Sequence, residues 1–172
     1  KMKHMATLLI GYDVERQVPK YWHETRHFLK KVVPLHEEFN IPCTLFVCGR
    51  TLANNRKYFK TVKNHPLFDI QQHTYSHVLL KTVCMEKPDG KITVFESGSL
   101  EEIEQEVIKT RNLIEEYFEK PCIGLTAPYG YYRGFCDRPD ILRILHRTNV
   151  RFTRSWARDE HDYQPVPWKI QP

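Results

Sequence analysis

The stretch F-D-I-Q-Q-H-T-Y-S-H, residues 68–77, joins a short strand-like segment to two histidines, His73 and His77. On a helical turn, positions i and i+4 share one face, so both imidazoles can reach one ion. Neutral imidazole is a common zinc ligand, and a catalytic zinc usually takes a third protein ligand and a water. Because the chain has nine histidines, this spacing also arises by chance. The position directly after a strand favours a metal site.

The segments on either side alternate between strand and helix patterns, which predicts an α/β layout with a mainly parallel sheet. Ser99 and Glu102 form a capping box at the start of the clearest helix, and Asp89-Gly90 predicts a turn within a short hairpin. In such sheets, ligand and catalytic groups gather where strands end. Predicted strands cover residues 6–10, 43–48, 68–71, 122–126 and 150–153, and predicted helices cover residues 21–39, 51–62, 100–119 and 138–146.

Two further polar clusters follow strand ends. Asp13 and Glu15 are two residues apart, so in extended backbone they point to the same side. They can bind a metal, take a proton from water, or form an exposed acidic turn. Because two adjacent carboxylates repel each other when both are ionised, a cation between them would be favoured. Residues 126–135 are rich in aromatic rings, with Arg133 among them. Such rings suit the face of a sugar, or they pack against the core.

Length and composition predict one domain over residues 1–172, because 41% hydrophobic and 27% charged residues exclude a disordered chain. No apolar run reaches the length of a membrane span. The net charge of +5 comes from 26 Lys and Arg residues scattered among acids, so no nucleic-acid partner is predicted. Five cysteines without a C-x-x-C pair argue against a disulfide framework and favour a cytoplasmic location, unless a leader precedes this sequence. The oligomeric state stays open.

In its polar motifs the chain resembles the polysaccharide deacetylases of carbohydrate esterase family 4, which share the NodB homology domain. Residues 72–77 are similar to the family's H-[ST]-x-x-H metal motif, and residues 13–15 resemble a spaced form of its first motif. Residues 127–130, A-P-Y-G, resemble part of its R-x-P-Y-G motif. The resemblance implies a distorted, TIM-barrel-like (β/α) barrel, a divalent metal, often zinc, and removal of acetyl groups from N-acetylated sugars. It therefore implies a hydrolase of amide bonds, not peptide bonds, with carbohydrate as substrate.

The resemblance also implies roles for individual residues. His73 and His77 would bind the metal with Glu15 as third ligand, while Asp13 would be the general base. The spacing leaves the roles of the two carboxylates interchangeable. The backbone N–H of Tyr129 would stabilise the oxyanion, as one of the catalytic groups.

The chain departs from the family pattern at two places. Thr126 stands where the family has arginine, and Arg133, which we include in the catalytic set, or Arg154 could replace it from a neighbouring loop. The late Leu-x-His motif, which supplies the catalytic acid, has no counterpart before Pro172, so we expect a partial barrel. His161 is a weak candidate for that acid.

Two alternative functions follow from these departures. One is an allantoinase-like hydrolase of small cyclic amides. The other is a non-catalytic module that binds carbohydrate through its aromatic residues.

Overall fold

A computed structural model describes residues 8–86 and 89–158 of the chain. These described residues form seven strands and four α-helices. The strands are β1 (Gly11–Val14), β2 (Cys43–Val47), β3 (Phe68–Gln72), β4 (Val83–Glu86), β5 (Ile92–Phe95), β6 (Gly124–Tyr132) and β7 (Phe152–Arg158). The helices are α1 (Trp22–Phe39), α2 (Gly49–Phe59), α3 (Leu100–Phe118) and α4 (Pro139–Arg147), and a 3-10 turn, Pro19–Tyr21, precedes α1. The weak candidate His161 lies outside the described residues.

Five of the strands form one parallel sheet in the order β1-β2-β3-β6-β7. The other two, β4 and β5, pair antiparallel as a separate hairpin. The prediction of an α/β fold with a mainly parallel sheet, curled as a partial barrel, is confirmed. The predicted turn at Asp89-Gly90 lies between the two strands of the hairpin.

The capping box predicted at α3 is present in part. The Ser99 hydroxyl accepts a hydrogen bond of 3.1 Å from the backbone N–H of Glu102, which satisfies a donor that the helix itself leaves free. At the C-terminal end of α1, Asn40 adopts a left-handed conformation with φ of 49°, which is a common way to end a helix. Among the described residues, no helix is long and apolar enough to cross a membrane.

Strand bounds differ from the sequence prediction at both edges of the sheet. The strand predicted at residues 6–10 begins instead at Gly11, where pairing with Thr44 of β2 starts. Leu8 and Leu9 are 83% and 89% exposed, so their apolar character reflects no burial within the described chain. The segment expected to become a loop after residue 126 continues as β6, because β7 pairs along it with register shifts typical of bulges.

The two faces of the sheet differ in character, since side chains alternate along each strand. One face packs under the helices, where Leu45 and Val47 of β2 are fully buried in a core cluster. A second core cluster joins β6, α3, α4 and the hairpin. The opposite, concave face carries Asp13, Phe46 and Arg154, and the polar site lies there and at the adjoining carboxyl ends of the strands.

Candidate metal centre

Three side chains that can bind a metal converge where β1 and β3 end. The ligand atoms of Glu15, His73 and His77 all lie within 4.8 Å of one another. Glu15 Oε2 is 3.2 Å from His73 Nε2 and 2.8 Å from His77 Nε2. His73 is 1% exposed, whereas His77 and Glu15 are partly exposed. Buried His73 therefore anchors the cluster in the protein interior, whereas the side formed by His77 and Glu15 is open to solvent.

The two histidines lie in an irregular loop after β3, not on the helical turn on which their i, i+4 spacing would place both rings on one face. Thr74 and His77 both have left-handed backbones, with φ of 58° and 64°. Backbone N–H groups in the first turn of α2 hold the loop, since Gly49 donates to Thr74 O at 3.0 Å and Arg50 donates to Tyr75 O at 2.9 Å. Such N–H groups have no partner inside a helix. They stabilise a loop geometry that residue spacing alone does not reveal.

A carboxylate from α3 also holds this loop. Glu106 accepts hydrogen bonds from the backbone N–H of Ser76 at 2.6 Å and from its hydroxyl at 2.9 Å. Ser76 directly precedes the ligand candidate His77. Sequence analysis missed Glu106, because it lies thirty residues from Ser76 and resembles any acidic residue of a solvated helix.

The hydrogen bonds of His73 define which of its nitrogens faces the cluster as an acceptor. Its Nδ1 lies 2.8 Å from the carbonyl oxygen of Thr126, and a carbonyl only accepts, so Nδ1 carries the hydrogen. In neutral His73 the Nε2 lone pair then faces Glu15 at 3.2 Å. Two acceptors at this distance need a proton or a cation between them. One carboxylate and two imidazoles are also a donor set that zinc uses in proteins, so these residues fit a divalent metal ion.

When their Nε2 atoms carry hydrogen, hydrogen bonds from His73 and then from His77 hold the pKa of Glu15 well below its usual range, although burial opposes the shift. Glu15 is therefore an anion at neutral pH. Its negative charge complements either protonated imidazoles or a metal cation.

Asp13 occupies a separate position from this cluster. It forms an ion pair with Arg154 of β7. Arg154 Nε also donates to the Thr126 hydroxyl at 3.1 Å, and its guanidinium lies 5.1 Å from the centre of the Phe46 ring. The structure thus separates two carboxylates that the sequence left interchangeable, since Glu15 contacts the histidines and Asp13 contacts an arginine.

Arg133, which the sequence placed in the catalytic set, lies elsewhere. It is exposed at the end of β6. The ion pair with Lys81, and to a smaller extent the charge of Arg133, lowers the pKa of Asp137. The arginine that contacts Asp13 is therefore Arg154, the second of the two candidates that the sequence offered.

Tyr129 lies beside the histidines. It has a left-handed backbone with φ of 67°, it is 41% exposed, and its ring centre is 6.0 Å from that of His77. On its other side it stacks against Phe95 of the hairpin, with ring centres 5.8 Å apart. Phe95 was not anticipated, because nothing in the sequence pattern links the hairpin to residues 126–135.

This fold is similar to that of several solved family 4 carbohydrate esterases. A pseudoenzyme of that family from Bacillus anthracis has a TM-score of 0.59 at 16% identity, over 84% of this chain and 42% of that one. A family 4 esterase from the same organism gives 0.57 at 15%, over 84% and 56%. The Streptococcus pyogenes deacetylase PplD, in complex with acetate, gives 0.58 at 16%, over 83% and 52%. No curated protein sequence matches the chain.

The sheet, its helices and these similarities define a deacetylase-type α/β fold. The polysaccharide deacetylase family model matches residues 17–152, so the chain belongs to the polysaccharide deacetylase family. It spans about half the length of the solved structures named above.

Proposed function

We propose that the protein is a divalent-metal-dependent hydrolase that removes acetyl groups from N-acetylated sugars. The observation that carries this proposal is the convergence of Glu15, His73 and His77 within 4.8 Å. Membership of the polysaccharide deacetylase family supports an amide hydrolase with a carbohydrate substrate. Zinc is the metal we propose, because two imidazoles and one carboxylate form a known three-ligand zinc set.

In this proposal Glu15, His73 and His77 hold the metal. When bound, a divalent ion supplies Lewis-acid polarisation of the acetyl carbonyl and a lowered pKa for water. The hydrogen bond from His73 Nδ1 to the Thr126 carbonyl fixes the ring orientation and its tautomer, as partners of metal-binding histidines commonly do.

Asp13 is the proposed general base. It lies on the concave face near Glu15, and its ion pair with Arg154 orients the carboxylate. The Tyr129 N–H is the proposed donor to the oxyanion that forms when water attacks the acetyl carbon. Its left-handed backbone turns the chain sharply beside His77, which supports a local role at the site.

A second candidate, carbohydrate binding without turnover, rests on two observations. Thr126 stands at a position where the family motif has arginine, and one structural neighbour is a family 4 pseudoenzyme. A mutant of that neighbour has restored activity, so loss of turnover in this fold is reversible in that protein. The ion pair of Arg154 with Asp13 favours retained activity in this chain.

The test is release of acetate from N-acetylglucosamine oligomers by zinc-loaded protein. We expect release that is lost after chelation, restored by zinc, and strongly reduced in Asp13→Asn. Asp69→Asn is the matched control, because Asp69 lies on β3 and accepts from Gln71, away from the cluster. Binding without release by loaded protein would support the non-catalytic module, and ring opening of a cyclic imide without acetate release would support the allantoinase-like alternative.

A further inference from the structure

The β4–β5 hairpin places an aromatic ring at the end of a series of ring contacts that begins at the candidate metal ligands. The ring centres of His73 and His77 are 4.8 Å apart, those of His77 and Tyr129 are 6.0 Å apart, and those of Tyr129 and Phe95 are 5.8 Å apart. Tyr129 and Phe95 are inclined by 28°, close to parallel. We call His77, Tyr129 and Phe95 the ring strip. It leads from the metal ligands to the hairpin without a gap.

We propose that the Phe95 end of the ring strip is a subsite for a second sugar unit, next to the sugar that carries the reacting acetyl group. This inference rests on the proposed function. It makes Phe95 a specificity-determining residue that selects oligomers of N-acetylated hexose over the monomer.

The hairpin is fixed firmly enough to form such a subsite. An isolated two-stranded hairpin is marginally stable, but Val83 is buried in the second core cluster, and Phe95 packs against that cluster. At its base, Gly98 N–H donates to Leu79 O at 2.9 Å and Ser97 N–H donates to the Thr82 hydroxyl at 3.2 Å. The position of Phe95 relative to Tyr129 is thus set by packing and by the two hydrogen bonds at the base of the hairpin.

The chemistry of the ring strip suits a sugar. A pyranose presents an apolar face of C–H groups and a rim of hydroxyl groups, so it binds best to a flat ring that leaves the rim in water. Tyr129 is 41% exposed and Phe95 is partly exposed, which leaves apolar ring area for such contact. Aromatic side chains contribute a large apolar area to such contacts.

The opposite face of the hairpin offers a matched control. Along β5, side chains alternate between the two faces. Val94 is 50% exposed and pairs with Cys84 across the hairpin. A change at Val94 therefore alters the hairpin without altering the ring strip.

The experiment is calorimetric titration of the chelator-treated protein, which does not consume its ligand, with N-acetylglucosamine and with its tetramer. We expect the tetramer to bind about tenfold more tightly than the monomer. Phe95→Ala should lose this preference, whereas Phe95→Tyr, which keeps the flat ring, and Val94→Ala should retain it. Phe95→Leu keeps the apolar volume but has no ring face, so it should also lose the preference. This variant keeps the test valid if Phe95→Ala does not fold.

Equal binding of monomer and tetramer by the wild type, or a preference that survives in Phe95→Leu, would overturn the subsite. Acetate release from the monomer, measured in parallel on zinc-loaded protein, separates this failure from failure of the proposed function. Release without a length preference leaves the function standing and removes the subsite. A ring-dependent length preference without any release leaves the subsite standing and removes the deacetylase.

Discussion

Replacing Arg154 by alanine should damage catalysis far more than stability. Arg154 forms the ion pair with Asp13, and the side chains are 48% and 38% exposed. Because solvent screens such a pair, its loss should cost at most about 1 kcal/mol of unfolding free energy. For a chain of this size that corresponds to a fall in Tm of about 2–4 °C. The Asp13 carboxylate, however, would lose the contact that orients it.

The expected catalytic effect is a fall of about 100-fold in kcat/KM, which is typical when a catalytic group is displaced by about 1 Å. The assay is acetate release from an N-acetylglucosamine oligomer, with thermal unfolding measured on the same samples. Metal content should stay unchanged, since Arg154 contacts Asp13 and Thr126 and none of the three proposed ligands. Retained metal with lost activity would separate a positioning role from damage to the whole site.

A relocation variant makes this test sharper. Thr126 and Arg154 are partners in the parallel pairing of β6 and β7, and their side chains touch at 3.1 Å. Thr126→Arg in the Arg154→Ala background therefore returns a guanidinium to the same face, from the neighbouring strand. We expect it to recover a large part of kcat/KM. An Arg154→Ala variant within about twofold of wild-type kcat/KM, far short of a catalytic effect, would refute the reasoning.

Two further predictions concern groups around the site. Glu106→Gln should weaken zinc binding by about 10- to 100-fold, as loss of partners behind metal ligands commonly does, measured by calorimetry, while an unchanged zinc Kd would count against the role of Glu106 in holding the loop. With a thiol reagent in native conditions, Cys84 and Cys136 should react quickly because they are exposed. The other three cysteines are buried, and burial raises the pKa of Cys122 to about 12, so five fast-reacting thiols would contradict the packing described.

The sequence predicted what adjacent residues and strand periodicity determine. The alternation of strands and helices, the Ser99 cap and the placement of His73 and His77 after β3 all follow from local patterns. The loop geometry of these histidines did not follow, because it depends on N–H groups of α2 and on Glu106 of α3. Spacing of i and i+4 places two side chains on one face only where the backbone is helical, and here distant contacts impose another conformation.

The contacts that the sequence left open are all long-range. Asp13 and Arg154 are 141 residues apart, so the choice between Arg133 and Arg154 needed the pairing of β6 with β7. Phe95 contacts Tyr129 from a hairpin that the turn at Asp89-Gly90 indicated, but the sequence did not indicate where this hairpin packs. The start of β1 at Gly11 depended on where β2 begins to pair with it, which the apolar run at Leu8 and Leu9 does not report.

The most direct test of the metal centre is elemental analysis of purified protein, after dialysis against zinc and removal of excess ion. We expect about one zinc per chain in the wild type, as a three-ligand site requires, and far less in His73→Ala. His65→Ala should keep the wild-type content, because His65 contacts Glu37 away from the site. Equal zinc in His73→Ala and wild type, or negligible zinc in both, would contradict the proposed centre.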